Sequence, residues 1–429
     1  MGAQPKGREL ISSCQGGDNL RKAIRSVCVL LTVICTVVFS FCISMSKKLP
    51  DDYIFNKNEK LTVARYGFMS FRKNRPDTTV SCSLGNDSSD GKLMFMNIIP
   101  VKDVNLHMQE KKYVIPCGNI FGIKFYSKGA VIIKCADVSD NFQNMNPGTE
   151  CGLKAGDTII KINGEKVLSC MDVEAAVKLS GGEPISITYD RSGSVSETTI
   201  TPVRSSENEY RLGLWIRDSC AGLGTMTFYD PDLGCFASLG HGICDSDTGN
   251  LMILDKATIT DARISSITKG TDGITGSING YFADDRSIGY AVGNTDTGLY
   301  GKLSVFPSEN KPIEIANIQD VKKGPAQILC TLDDEGPKYY DIEITRVDYD
   351  ENNKTKNLQI TATDERLLAK TGGIIQGMSG SPILQNGKLI GAVTHVLVTN
   401  SSKGYGIFAQ NMYTEMENCL MEGNYITDL

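Results

Sequence analysis

The hexapeptide GMSGSP at positions 377–382 places Ser379 in a short turn, with glycine two residues before it and directly after it. A serine hydroxyl is a weak nucleophile, so it needs a base to take its proton and donors to hold the oxyanion. Glycine lets successive backbone N–H groups turn towards one point. We therefore predict that Ser379 is a nucleophile and that the N–H groups of Gly377 and Ser379 form an oxyanion hole. The competing interpretation is a hairpin turn with surface serines.

The sequence contains three histidines, and histidine is the side chain that most often acts as a general base. His107 lies in a polar strand-like segment, which indicates a structural role. His395 lies in the apolar strand after the serine and is expected to be buried or to line the site. His241 ends the apolar stretch CFASLGHG between two glycines, as expected of a residue that faces a cleft. These positions predict His241 as the base, with a loop histidine as the alternative.

A third residue is expected to orient the histidine and to stabilise its cation. Asp364 stands 15 residues before Ser379, in the segment ATDE. Asp245 and Asp247 follow the histidine closely in GICDSDTGN, a composition typical of a turn. The residues alone do not decide among these acids.

Residues 204–429 contain short apolar strands separated by Gly, Asp and Asn turns, which indicates one β-rich domain. A histidine at a strand end, a long interval, and then GxSGxP with an apolar strand resembles the chymotrypsin-like double β-barrel of serine peptidases. That resemblance implies that Leu389–Val398 helps to line the substrate cleft. Met378 stands where digestive members carry Asp, so their zymogen switch is not expected here.

Residues 111–203 carry a second pattern. GLKAGD at 152–157 precedes an apolar strand and an Asn-Gly reversal at 163–164, an order that resembles a PDZ domain of the bacterial protease type. PDZ domains capture a peptide with a loop of N–H groups and a strand edge. The resemblance implies that a C-terminal or internal peptide binds Phe121, Gly122, Ile123, Lys124 and Phe125. The alternative is a domain that only packs against its neighbour.

Residues 26–45 are 20 positions without a charge, long enough as a helix to cross ~30 Å of bilayer core. Cationic residues precede them, which predicts a cytosolic stub at 1–25 and export of the rest. A cleavable signal peptide is the alternative. An uncleaved anchor is favoured because a signal's apolar region is normally shorter. Residues 46–110 are interpreted as a tether and a small β segment.

Composition argues against several functional classes of protein. A net charge of −6 leaves no basic footprint for nucleic acid. The 14 cysteines include no CxxC pair, so neither a zinc site nor another cofactor is predicted, and most thiols are expected to be reduced. No HExxH motif occurs, which argues against a metal-dependent intramembrane protease.

The chain resembles the stage IV sporulation protein B peptidases over residues 100–429. The resemblance rests on the anchor, the PDZ-like block and the two segments LGHGICD and TGGIIQGMSGSPILQNGKLIGAVTHVLV. The resemblance implies a triad of Ser379, His241 and Asp364. It implies a signalling serine endopeptidase of endospore-forming bacteria, exported from the forespore into the space between the two spore membranes. There it would cleave a regulator of a membrane-embedded protease, so that a late mother-cell sigma factor becomes active. Self-cleavage near the tether is expected, because an anchored protease needs a release step.

Two alternatives stay open. A PDZ scaffold with an inactive peptidase-like domain would keep the fold and lose the chemistry. A stress protease of the DegP type would share the chemistry, although such proteins place the protease before the PDZ domain.

Overall fold

The structure is a computed structural model that describes residues 12–46, 49–55, 68–73, 88–139, 143–306, 310–350 and 352–426. The chain divides into two compact units, residues 1–109 and 110–429. Much of the predicted cytosolic stub, and part of the predicted tether, lie outside the described residues.

The first unit combines one long helix with a four-stranded sheet. Its elements are α1 (Ser12–Ser46), β1 (Asp52–Phe55), β2 (Met69–Lys73), β3 (Ser88–Phe95) and β4 (Ile99–Met108), with sheet order β1-β4-β3-β2. Within α1, Arg21–Ser46 is long and apolar enough to cross a membrane, a criterion that a signal sequence also meets. In the sheet, His107 lies 3.0 Å from the carboxylate of Asp52, in keeping with the structural role predicted for it.

The second unit opens with β5 (Tyr113–Pro116) and the 16-residue strand β6 (Ile120–Cys135). The predicted PDZ region follows, with β7 (Val138–Ser139), β8 (Asn144–Met145), α2 (Pro147–Glu150), β9 (Thr158–Ile162), β10 (Glu165–Lys166), α3 (Cys170–Leu179), β11 (Ile185–Arg191), β12 (Ser194–Ile200), β13 (Val203–Arg204) and β14 (Tyr210–Arg211). Ser169 and Asp172 form a capping box at the start of α3, which buries Val173 and Val177, one turn apart, in the domain core.

The rest of the unit is β15 (Leu214–Asp230), β16 (Cys235–Ser238), β17 (Leu254–Thr268), β18 (Ser277–Thr295), β19 (Gly298–Leu303), β20 (Ile313–Glu314), β21 (Gly324–Thr331), β22 (Pro337–Val347), β23 (Leu358–Ala362), α4 (Glu365–Thr371), β24 (Pro382–Gln385), β25 (Lys388–Val396), β26 (Lys403–Phe408) and α5 (Ala409–Ile426). Strand periodicity is plain in β22, where buried Tyr340, Ile342 and Ile344 alternate with exposed Asp341 and Glu343. Each such buried isoleucine contributes about 2 kcal/mol of hydrophobic stabilisation.

The strand pairings close two six-stranded barrels. Barrel 1 is the ring β6-β17-β18-β19-β16-β15, which returns from β15 to β6. Barrel 2 is β21-β22-β23-β26-β25-β24. The mainly β, double-barrel fold predicted from the sequence is therefore confirmed, together with the PDZ region and the N-terminal apolar helix.

Helix α5 packs against both barrels. Its Met412 and Met416 are fully buried in a cluster that contains Phe228 from barrel 1 and Leu389 from barrel 2. The Tyr413 hydroxyl donates to the buried Asp230 carboxylate at 2.7 Å. The helix thus holds together the two halves from which the site is built.

The PDZ region is inserted into barrel 1, between the strands β6 and β15. The first half of β6 pairs with β15 and β17 in the barrel, whereas its Ala130 and Val131 pair with β9 of the PDZ region. Barrel 1 therefore takes its first strand from within the range 111–203 that was predicted for the PDZ domain. Gly129, with φ +116°, lies within the continuous strand β6.

Candidate active site

Ser379 lies in the turn that precedes β24, at one end of barrel 2. Met378 anchors this turn, because its side chain is fully buried in the barrel core. Gly377 and Gly380 adopt φ +93° and +96°, values that favour glycine. The half-buried Ser379 hydroxyl donates to the Thr394 carbonyl at 2.7 Å.

His241 follows β16 of barrel 1 and comes after two consecutive residues in the left-handed region. Leu239 has φ +68° and Gly240 φ +70°. A left-handed leucine costs about 1–2 kcal/mol, which the burial of its side chain offsets. A Cβ on Gly240 would lie 2.8 Å from the Thr394 side chain. The histidine turn therefore lies against the same threonine whose carbonyl holds the serine hydroxyl.

The ring of His241 is in the tautomer that a base needs. Its Nδ1 lies 2.9 Å from the Gly242 carbonyl oxygen. Since a carbonyl only accepts, Nδ1 carries the hydrogen and Nε2 keeps a free lone pair. Burial lowers the pKa of His241, so the ring is neutral near pH 7 and able to accept a proton.

His395, in β25, packs against His241 with ring centroids 5.2 Å apart. Its Nδ1 is buried and has no hydrogen-bond partner among the described residues. Burial, and then the neighbouring His241, lower the pKa of His395 to about 4, so this ring is also neutral. The expectation that His395 is buried or lines the site agrees with this position.

The two N–H groups of the predicted oxyanion hole are held in a fixed direction. The Gln376 carbonyl accepts from the Ile278 N–H at 2.9 Å, and the Met378 carbonyl accepts from the Ser381 N–H at 2.9 Å. Because a trans peptide is planar, the N–H that follows each carbonyl points the opposite way. Those N–H groups belong to Gly377 and Ser379, and in the described part of the chain neither donates to any acceptor. Free, oriented donors of this kind are what an oxyanion hole requires.

The Asp364 carboxylate binds groups other than His241. Asp364 caps α4, because its carboxylate accepts from the N–H groups of Arg366 and Leu367, and it also accepts from the Asp341 N–H. The Arg366 guanidinium pairs with it at 2.7 Å. That pairing, with the backbone donors, lowers the pKa of Asp364 to about 2. None of the described contacts of Asp364 is with His241.

The other two acids are also engaged. Asp245 is buried, pairs with Arg217 at 2.7 Å and accepts from the Asp247 and Thr248 N–H groups. Asp247 pairs with Arg217 at 2.8 Å. The structure therefore brings together the serine and two histidines, and it brings none of the three predicted acids into contact with His241. The sequence did indicate a capping role for Asp364, because this residue directly precedes the helical segment ERLLAKT, where an N-cap is expected.

Two residues that were not predicted from the sequence position the histidine and the serine. The Asn294 side chain contacts the backbone N–H and carbonyl of Ile243 and the carbonyl of Met252, which fixes the chain just after His241. Thr225 of β15 contacts the turn that carries Ser379. The sequence offered no signal for either, because β15 and β18 contain several other polar residues.

The predicted peptide-binding strand of the PDZ region is wrong. The residues concerned lie inside barrel 1, where β15 pairs along one side and β17 along the other, so no edge is free for a peptide: Phe121, Gly122, Ile123, Lys124 and Phe125. Among the described residues, Leu214–Asp218 at the start of β15 has an unpaired side, as does β12, which pairs with β11 alone. The Leu214–Asp218 stretch pairs with β6 alone and lies next to α3.

Comparison with known proteins agrees with this architecture. The SpoIVB peptidase S55 family profile matches residues 208–413, and a PDZ domain profile matches residues 146–191. Among curated proteins, a protein from Bartonella henselae that is named as a zinc metalloprotease is 30% identical over 135 residues. The match covers 29% of this chain and 36% of that protein. Another, from Clostridium acetobutylicum, is 31% identical over 96 residues, 22% of this chain and 27% of its own length. The chain spans only about a third of these relatives.

Two solved structures match parts of the chain. The PDZ domain of an SdrC-like protein from Listeria monocytogenes is 19% identical, with a TM-score of 0.17, over 21% of this chain and 87% of that one. An active-form protease from Mycobacterium tuberculosis is 15% identical, with a TM-score of 0.28, over 47% of this chain and 74% of that one. TM-scores this low carry no argument. The two family profiles identify the family: the chain is a SpoIVB-type protein that combines a PDZ domain with an S55 serine peptidase domain.

Proposed function

We propose that Ser379 is the nucleophile and His241 the general base of a serine endopeptidase. One observation carries the proposal, namely that the serine turn and the histidine turn meet at Thr394. Its carbonyl accepts the Ser379 hydroxyl at 2.7 Å, and its side chain leaves no room for a Cβ on Gly240, the residue before His241. Two turns from different barrels thus lie against one residue.

The proposed reaction uses these groups. Rotation about the side-chain torsion moves the Ser379 hydroxyl from the Thr394 carbonyl towards Nε2 of His241. As the oxygen attacks a peptide carbonyl, His241 takes the proton, and the N–H groups of Gly377 and Ser379 hold the oxyanion. The imidazolium then gives its proton to the leaving amine. Water, activated by the same histidine, releases the acyl group from the serine.

The test compares Ser379→Ala with Ser381→Ala in the full chain. Ser381 is a matched control, because its fully buried hydroxyl has no hydrogen-bond partner among the described residues. Ser379→Ala should abolish both peptide cleavage and labelling by a fluorophosphonate, whereas Ser381→Ala should keep both. Cleavage that persists in Ser379→Ala would exclude Ser379 as the nucleophile. Absence of labelling in the wild type would favour the inactive scaffold.

We also propose that the PDZ domain binds an extended peptide along the unpaired side of Leu214–Asp218, beside α3. The Cys170 N–H, at the start of α3, donates to the Asp218 carboxylate at 2.8 Å and holds the helix beside the strand. Half-buried Leu214, Ile216 and Ala176 offer apolar contacts between the two. A strand edge beside such a strip suits a peptide that adds as a further strand.

An Ala176→Arg change should place a charge in that strip and weaken binding of a fluorescent C-terminal peptide library, measured by anisotropy. Glu174→Arg on the exposed side of α3 is the control and should bind normally. Equal binding by both variants would place the peptide elsewhere.

We propose, from the family, that the peptidase acts in sporulation signalling on the outer side of the forespore membrane. It would cut a membrane-bound regulator of an intramembrane protease, and itself within 46–110. The N-terminal apolar helix and the PDZ domain support a membrane-associated substrate. Cleavage of candidate membrane-protein ectodomains should be lost in Ser379→Ala. The mature N-terminus that self-cleavage produces, identified by mass spectrometry, should also be absent from that variant. A DegP-type stress protease would instead degrade unfolded proteins generally.

A further inference from the structure

Thr225, in β15 of barrel 1, contacts the serine turn and the histidine turn at once. Its N–H donates to the Ser379 carbonyl at 3.2 Å, and its hydroxyl donates to the Gly377 carbonyl at 2.7 Å. Its own carbonyl accepts from the Leu239 N–H at 3.3 Å. The residue is 1% exposed, so water does not compete for these bonds.

The hydroxyl matters because Gly377 is conformationally free. A left-handed glycine allows the peptide plane that follows it to rotate, since no Cβ resists the change. The Thr225 hydroxyl opposes that rotation by holding the Gly377 carbonyl on the side of barrel 1, and the N–H of the same peptide, that of Met378, donates to the Ile375 carbonyl at 3.2 Å. Were this carbonyl to turn towards the substrate, its partial negative charge would oppose the charge that develops on the oxyanion.

We propose that Thr225 is a positioning residue of the peptidase, which sets the serine turn relative to the histidine turn across the two barrels. Its described hydrogen bonds are with backbone groups and not with the Ser379 hydroxyl. The inference rests on the proposed roles of Ser379 and His241. It assigns to this hydroxyl a part in fixing the Gly377–Met378 peptide, which lies between the two donor peptides, whereas the backbone contacts of Thr225 would persist with any side chain.

Thr225→Val replaces the hydroxyl by a methyl group of similar volume, and Thr225→Ser keeps the hydroxyl. Thr227 gives a matched control two residues along the same strand, because its fully buried hydroxyl has no hydrogen-bond partner among the described residues. Full-length wild type, Thr225→Val, Thr225→Ser and Thr227→Val would be compared in detergent for kcat, KM, the rate of fluorophosphonate labelling at Ser379, and thermal unfolding.

Thr225→Val should lose about 10- to 100-fold in kcat and in labelling rate, as expected of a misplaced reacting group, with KM little changed. Thr225→Ser should recover most of that loss, and Thr227→Val should match the wild type. Should the valine variant not fold, Thr225→Ala replaces it in the comparison with Thr225→Ser.

A Thr225→Val protein that labels as fast as the wild type would overturn the proposal. So would a loss that Thr225→Ser does not recover, or one that Thr227→Val shares, because either would reflect packing alone. A wild type that is not labelled at Ser379 would overturn the proposed function, and this proposal with it.

Discussion

Replacing Asp364 distinguishes a capping residue from a catalytic acid. If its role is the one the contacts show, Asp364→Ala removes the N-cap of α4, worth about 1 kcal/mol. It also removes an ion pair to Arg366, whose side chain is 68% exposed, so that this pair adds at most about 1 kcal/mol. The pKa of Asp364, lowered from 3.8 to about 2, corresponds independently to about 2 kcal/mol. We therefore expect the free energy of unfolding to fall by about 2 kcal/mol.

The pH dependence of this loss has a definite sign. A lowered carboxyl pKa stabilises the fold above pH 3.8, and that contribution disappears as the pH falls through about 2. Asp364→Asn should lose less than Asp364→Ala, since asparagine also caps helices. Chemical denaturation at several pH values would measure all three proteins.

The kcat of Asp364→Asn tests whether Asp364 is a capping residue or a catalytic acid. Per folded molecule, kcat of Asp364→Asn should stay close to that of the wild type, because the carboxylate contacts Arg366 and backbone donors rather than His241. A triad acid that is replaced by its amide costs about 10⁴-fold in kcat. A loss of that size, with unfolding unchanged, would show that Asp364 orients His241 after all.

Three further predictions address other parts of the second unit. Gly380→Ala should abolish cleavage, because its Cβ would lie 2.0 Å from the Thr225 carbonyl oxygen at φ +96°; an active variant would refute the turn geometry. The pH profile of kcat/KM should fall on the acid side below the usual histidine pKa of 6.5, because burial lowers the pKa of His241 and protonation removes the base; a limb at or above 6.5 would contradict this. The buried thiol of Cys330, whose pKa burial raises, should resist iodoacetamide until the protein unfolds, which mass spectrometry of the native and denatured protein would check.

Local patterns predicted much of the molecule. The apolar run of the N-terminal helix, the alternation in the barrel strands and the glycines around Ser379 each depend on short stretches of sequence. So did the choice of His241, which required only a strand end and two glycines. These features could be predicted because the physical cause and its effect lie close together in the chain.

The errors concern partners that are distant in sequence. Residues 120–126 have the composition of any buried strand, and only pairing with β15 and β17 places them in barrel 1 rather than in a PDZ groove. The role of Asp364 as the triad acid stays a prediction from the family resemblance, and its local sequence also suited the helix cap that the structure shows. Thr225 has no motif, because its role depends on carbonyls of Gly377 and Ser379 that lie more than 150 positions later.

The continuity of β6 and β15 makes the PDZ domain an expanded hairpin loop of the peptidase. Tyr126 and Ser219 are opposite each other in the antiparallel pair, so their Cα atoms are about 5 Å apart although 92 residues separate them. A tight turn could therefore replace residues 127–218 and leave both barrels intact. A simple truncation at residue 204 could not, since it would remove the first strand and open barrel 1. A single insertion into an ordinary hairpin at this point would add the PDZ region without disturbing either barrel.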